Sequence, residues 1–250
     1  MNDNTYTLFY AAIVCFICSF MLSLFAVGLQ PAQQKAAKLD LYRNILSVFE
    51  LEKEDGSEMI DSEVESTFQE SIREIVIDRN GKVFEGQSFS DVPQDQRCDL
   101  LYTKFPHNSE DCKLSVYSKV ADGKVSAYAI PLEGKGLWST LYGYLALEND
   151  GSTIMGITFY KHGETPGLGA EISKKWFSDN FKGKKLLDKT GSLASVKVFK
   201  GKAKDSGLPE EHVVDGISGA TITADGVTDL LKHCATVFDP FLSKIRKAGA

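Results

Sequence analysis

The chain has 250 residues, of which 43% are hydrophobic and 25% charged, and its formal net charge is −6. This is the composition of a folded protein with one sizeable core or two small ones. A net-negative chain with scattered lysines repels phosphate backbones, which excludes nucleic acid as a partner, and the local cluster of Lys182, Lys184 and Lys185 reads as solvated surface.

The first predicted element is apolar. No charged residue lies between Leu8 and Leu29, and at 1.5 Å per residue this run reaches about 33 Å as a helix, enough to cross a bilayer. A cleaved signal peptide competes with a retained anchor, because Ala26-Val27-Gly28 has a small-x-small pattern. Met1 to Thr7 contains no Lys or Arg, however, and the run is longer than a usual signal core, so the reading favours an anchor. Lys35, Lys38 and Arg43 follow the run, which under the positive-inside rule puts the rest of the chain in the cytoplasm; the rule is weak for long domains.

Beyond the anchor, Leu39, Leu41, Tyr42, Ile45, Leu46 and Phe49 predict a helix leaving the membrane within 30–50. Residues 50–70 read as an acidic loop followed by a short helix. Three hairpins follow, over 72–89, 114–131 and 141–160, with turns at Asn80-Gly81, Asp122-Gly123 and Asn149-Asp150-Gly151. The polar stretch 91–112, with Pro93 and Pro106, reads as loop. A Gly-rich stretch, 163–169, leads into a predicted helix over 170–181 and a strand over 193–199. A final helix is expected to begin near Ala224, burying Val227, Leu230, Leu231, Cys234, Phe238 and Phe241, with Pro240 kinking it or ending its regular part. The expected fold is α+β: one N-terminal transmembrane helix, then a twisted antiparallel sheet with flanking helices.

The four histidines show no metal-ligand spacing, and the C-x-x-C pair of Cys15 and Cys18 lies in the apolar run with no second half-site, so no metal or iron–sulfur cluster is expected on this chain. Cys98 and Cys112 flank the polar loop and can close a disulfide in an oxidising compartment. No nucleophile–base pair is evident, so no catalytic residue is assigned.

The segment Asp215-Gly216-Ile217-Ser218-Gly219-Ala220-Thr221-Ile222-Thr223 is small and hydroxyl-rich and feeds the last helix. A helix start offers unpaired N–H groups and the positive end of the dipole, which together suit an anion. Gly219 and Ala220 allow close backbone approach, and Ser218, Thr221 and Thr223 supply hydroxyls. A plain turn with Thr223 as N-cap explains the same composition.

Asp215 to Thr221 resembles the flavinylation motif of the FMN-binding subunits of two related respiratory complexes. The resemblance implies one FMN, held covalently by a phosphoester on Thr221 that a separate flavin transferase makes from FAD. Two further segments match that family. His162-Gly163-Glu164-Thr165-Pro166-Gly167-Leu168-Gly169 resembles a loop that approaches the flavin, which implies cofactor roles for Glu164, Thr165, Leu168 and Gly169; Glu164 as a solvated turn residue is the plainer alternative. Gly134 to Ser139, followed by Tyr142-Gly143-Tyr144, resembles the C-subunit family of sodium-translocating NADH:quinone oxidoreductases more than the G subunits of Rnf-type complexes, which remain the alternative. There Trp138 is either a core aromatic or a flavin neighbour.

The expected boundaries are a tail over 1–7, a span over 8–29, the first part of a soluble domain over 30–130, an FMN-binding part over 131–240 and a C-terminal tail over 241–250. The resemblance further implies an inner-membrane, single-pass protein with its domain in the periplasm. Electrons would arrive from an iron–sulfur centre in neighbouring membrane subunits and leave to a second FMN in the B subunit, with NADH and quinone handled elsewhere. A reading from another class is an anchored periplasmic ligand- or partner-binding module without flavin, in which 218–221 is an ordinary turn.

Overall fold

The computed structural model describes residues 3–53, 57–101 and 111–248. Pro106, part of the expected loop, lies outside them. The chain divides into two compact units, one up to Tyr42 and the other from Arg43 onward.

Helix α1 spans Asp3–Val48 and is continuous. The apolar run and the expected exit helix are therefore one element, and the helix begins inside the segment expected to be a tail. It is long and apolar enough to cross a membrane, and none of its most apolar window is buried in protein.

In the second unit, α2 (Asp61–Ser71) leads directly into β1 (Ile72–Asp78), which turns at Gly81 into β2 (Val83–Phe84). The next strands are β3 (Lys113–Ala121), β4 (Lys124–Lys135), β5 (Thr140–Glu148) and β6 (Ile154–Lys161). They form one antiparallel sheet in the order β2-β1-β3-β4-β5-β6, so each expected hairpin is present with its expected turn. The stretch between β2 and β3 carries two short 3-10 turns, Phe89–Asp91 and Gln94–Gln96, and Cys98 is disulfide-bonded to Cys112 with their Cα atoms 5.0 Å apart.

After β6 the chain departs from expectation. In place of one helix over 170–181 there is a 3-10 segment, Gly169–Ser173, and a short helix α3, Lys175–Asp179, separated by an extended Lys174. Ile172, Phe177 and Phe181 are all buried; their five- and four-residue spacing reaches the core only if the helix is interrupted. The strand expected over 193–199 shrinks to β7 (Lys197–Val198), which pairs in parallel with β8 (Val213–Val214). Ser195 is the reason: it sits at φ 61°, and it and Ala194 both donate their N–H to the Leu186 carbonyl, so neither can extend a ladder.

Helix α4 (Thr221–Ala248) packs against the sheet. All six residues expected on its buried face are buried, and they join Ile130, Leu132, Leu141 and Leu145 in the main core. The helix runs through Pro240 instead of ending there. It lies very close to the end of β4: a Cβ added to Gly226 would stand 2.4 Å from the Lys135 carbonyl oxygen. This contact places the start of α4 beside the β4–β5 turn. Elsewhere in the second unit, Phe68, Tyr117 and Tyr144 meet edge to face in turn, and Tyr144 stacks on Tyr160 with ring centres 5.4 Å apart.

Candidate functional site

Three segments far apart in sequence meet at the start of α4. The first is the β4–β5 turn, closed by the Gly136 N–H donating to the Ser139 carbonyl at 2.8 Å. The second is the loop after β6, in which the Leu168 and Ala170 N–H groups both donate to the Thr165 carbonyl at 3.1 Å. The third is the segment 215–221. Its first residue, Asp215, accepts from the Ala203 N–H at 2.7 Å and from Lys202 at 2.8 Å. Those two partners, the Ala203 N–H foremost, hold its carboxyl below the usual range.

Glu164 joins the three. It is 5% exposed, so it is not a solvated turn residue. Its carboxylate accepts the N–H groups of Leu137 at 3.3 Å, Trp138 at 3.0 Å and Ser139 at 3.3 Å, and the Thr223 hydroxyl at 2.6 Å. Burial alone would push its carboxyl up; the Thr223 hydroxyl and the three N–H donors outweigh that and hold it below the ordinary glutamate range. Two glycines make room for the carboxylate: a Cβ on Gly136 would lie 2.6 Å from Oε1, and one on Gly169 would lie 2.8 Å from Oε2. The Gly163 N–H donates to Ser139 Oγ at 2.5 Å, which ties the first two segments a second time.

The motif itself ends in a tight turn. Gly219 has φ 74°, a conformation that favours glycine. The Ala220 N–H donates to the Ile217 carbonyl, and the Ala220 carbonyl accepts from the Ala224 N–H, the first helical bond. Helix α4 thus starts at Thr221, three residues earlier than the sequence suggested. Thr223 is not its cap: it is the third helical residue, 1% exposed, and its hydroxyl is engaged by Glu164. The N–H groups of Thr221, Ile222 and Thr223 find no acceptor among the described residues, and neither does the Thr221 hydroxyl. Thr221 is half-buried, and Ser218 and Gly219 are exposed.

Around this point the surface is apolar and open. Trp138 is 70% exposed, which rules out the core reading of its indole, and Leu137, Leu168 and Ile222 are exposed as well. Leu168 lies against the motif, since a Cβ on Gly219 would be 2.8 Å from its Cδ2. Thr165, Pro166 and Gly167 form an exposed rim. The structure therefore gathers Trp138, Glu164, Thr165, Leu168, Gly169, Ser218, Gly219, Ala220, Thr221 and Thr223 into one neighbourhood. It also adds Leu137, Ser139 and Ile222, which sequence reasoning passed over. Ile222 had a readable signal: it falls off the α4 face that buries Thr223, Ala224 and Val227, yet it is a large apolar residue, 59% exposed.

The arrangement can do two things chemically. The unpaired N–H groups and dipole at the helix start suit an anion such as a phosphate. The exposed apolar side chains suit a flat ring that covers them.

Comparison with known proteins agrees. Residues 136–236 match a family described as the FMN-binding domain. Over the whole of this chain, 36% of residues are identical to the C subunit of the Na(+)-translocating NADH-quinone reductase of Pseudomonas aeruginosa, of which 98% is covered. The protein of the same name from Neisseria meningitidis is 36% identical over 98% of this chain and 95% of its own length. Among solved structures, the C subunit from Parabacteroides distasonis superposes with a TM-score of 0.69 at 33% identity, covering 86% of this chain and 97% of that one. The Shewanella oneidensis NqrC structure gives 0.68 at 30% identity, covering 85% and 99%.

Proposed function

The chain belongs to the C-subunit family of Na(+)-translocating NADH-quinone reductases, and on that premise we propose that it carries one FMN, esterified through its phosphate to Thr221, and relays electrons within that complex. The observation that carries the reading is the contrast between two hydroxyls in one helical turn. Among the described residues, Thr221 has a hydroxyl without a partner beside three unpaired N–H groups, whereas the Thr223 hydroxyl is spent on Glu164. Ser218 is exposed but stands outside the helix start.

Bound FMN supplies the one- and two-electron chemistry of a relay. The residues of the chain bind and orient it. The N–H groups of Thr221, Ile222 and Thr223, at the positive end of α4, would donate to its phosphate. Trp138, Leu137, Leu168 and Ile222 would offer its ring an exposed apolar surface, with the Thr165–Gly169 loop beside it. The surface is open instead of a deep pocket, and a covalent tether keeps the group in place there through every redox state. No side chain is needed as acid, base or nucleophile during the relay, so this protein has no complete turnover alone.

The resemblance supports the remaining assignments. The donor is an iron–sulfur centre in the membrane subunits, the acceptor a second covalent FMN in the B subunit, and a flavin transferase installs the FMN. The full-length similarity to C subunits favours the sodium-translocating complex over the Rnf type. We place α1 as a single inner-membrane anchor with the domain on the periplasmic side. The Cys98–Cys112 disulfide supports an oxidising compartment, and it outweighs the charges of Lys35, Lys38 and Arg43, which orient long domains weakly.

One measurement tests both parts. The intact mass of the protein from its native membranes, taken without reductant, should exceed the sequence mass by FMN minus water, less two hydrogens for the disulfide. The unmodified sequence mass would overturn the flavin assignment, and two free thiols would remove the support for the periplasm.

A further inference from the structure

The Glu164–Thr223 hydrogen bond lies next to the attachment point without being part of it. Among the described residues, every other polar contact of the Glu164 carboxylate is to backbone: the N–H groups of Leu137, Trp138 and Ser139. The hydroxyl of Thr223 is its one bond to α4, and it is the shortest of the four at 2.6 Å. Both residues are buried, and the carboxylate sits where Gly136 and Gly169, lacking a Cβ, leave space for it.

The first turn of a helix is its weakest part, because its N–H groups lack intrahelical partners. In α4 the first internal bond is Ala224 N–H to the Ala220 carbonyl. Without a further tie the turn that contains Thr221 can fray, which scatters the three N–H groups and moves the hydroxyl. A Thr223 side chain clamped to Glu164 fixes the third residue of the helix to two loops that are themselves anchored to β4, β5 and β6.

We infer that Glu164 and Thr223 are a positioning pair that presets the Thr221 hydroxyl for flavin transfer. The inference rests on the assignment of FMN to Thr221. In that step Thr221 Oγ bonds to the FMN phosphorus of FAD, the pyrophosphate bond breaks, AMP leaves, and the hydroxyl proton passes to a base of the transferase or to water. Neither Glu164 nor Thr223 touches the reacting atoms. Their effect is on the fraction of chains whose helix start is ordered when the transferase engages, and orientation of this kind raises the rate of a bonded step without changing the affinity for FAD.

The test uses the full-length chain, produced without the transferase, then treated with purified transferase and FAD. The rate of flavin incorporation is read by in-gel fluorescence. Thr223→Val is isosteric but lacks the hydroxyl; Thr223→Ser keeps it. Loss of a hydrogen bond to a buried charge predicts a roughly 10- to 100-fold lower kcat for Thr223→Val, an unchanged KM for FAD, and a rate close to wild type for Thr223→Ser. Glu164→Gln, which faces three N–H donors with one acceptor oxygen, should be slowed like Thr223→Val. Thr223→Val and Glu164→Gln at the wild-type rate, or a Thr223→Ser variant as slow as Thr223→Val, would overturn the inference. Where Thr223→Val does not fold, Glu164→Gln alone decides, by the same rate comparison. A wild-type chain that takes no flavin at Thr221 would overturn the attachment itself, a failure distinct from one confined to the variants.

Discussion

The sheet with α4 and the junction at Thr221 are held together by different physics. The sheet buries Ile130, Leu132, Leu141 and Leu145 against Val227, Leu230, Leu231 and Phe238, in a core to which five of its six strands and a long helix contribute. Its strength is spread over many side chains, each contributing by the apolar area it removes from water. The junction is built from three loops, exposes its apolar groups, and depends on one carboxylate with four hydrogen bonds. A rigid body with a distributed core can carry a site whose local order hangs on a single group. Damage to the first should appear as lost stability, and damage to the second as lost chemistry.

The largest effect is expected in the core. Phe238 is fully buried, so Phe238→Ala should cost about 3–5 kcal/mol, lowering Tm by roughly 10 °C. Below the transition, flavin attachment per folded chain should match wild type. Lost attachment in a folded Phe238→Ala chain would break the division between body and junction.

An intermediate effect is expected from acid. Glu164 has a folded-state pKa below that of an unfolded chain. Its contribution is therefore complete above the ordinary glutamate value of about 4.3 and is lost as pH falls through the lower folded value. Asp150 and Asp215 are also held low and titrate in the same direction. Thermal melts from about pH 6 to about pH 3 should show Tm falling, with a shallower fall in Glu164→Gln, whose amide does not titrate. Parallel curves for the two proteins would mean that the carboxylate gives the junction no ionisation-dependent stability.

The smallest stability effect is expected at Trp138. Its indole is largely exposed, so Trp138→Ala should change stability by less than about 0.5 kcal/mol while altering the fluorescence of the attached flavin. A core-sized drop in Tm, or an unchanged flavin spectrum, would remove Trp138 from the apolar surface assigned to the ring.

The same division decided what the sequence made legible. Hairpins declare themselves through local chemistry: Asp122-Gly123 takes the two positive φ values that a two-residue turn needs, Gly81 supplies the one positive φ of the three-residue loop after β1, and the strands around them follow. The buried face of α4 was readable from its three- and four-residue recurrence. The stretch 170–181 was misread because its composition suits a helix, while the core's demand for Ile172, Phe177 and Phe181 breaks it in two. Thr223 was misread for a related reason. As a threonine near a helix start it looks like a cap, and only the arrival of Glu164, 59 positions away in sequence, gives it a different partner. Candidate residues could be gathered from motif likeness, but the bond that organises them is long-range and has no local signature.

The central claim is that Thr221 alone bears the flavin. The most direct measurement is peptide mass mapping, with in-gel fluorescence, of the full-length chain produced together with the flavin transferase, alongside Thr221→Ala and Ser218→Ala. FMN is expected on the peptide at Thr221 in the wild type and in Ser218→Ala. None is expected in Thr221→Ala, which should melt close to wild type. A fluorescent Thr221→Ala chain, or FMN mapped to Ser218 or Thr223, would contradict the claim.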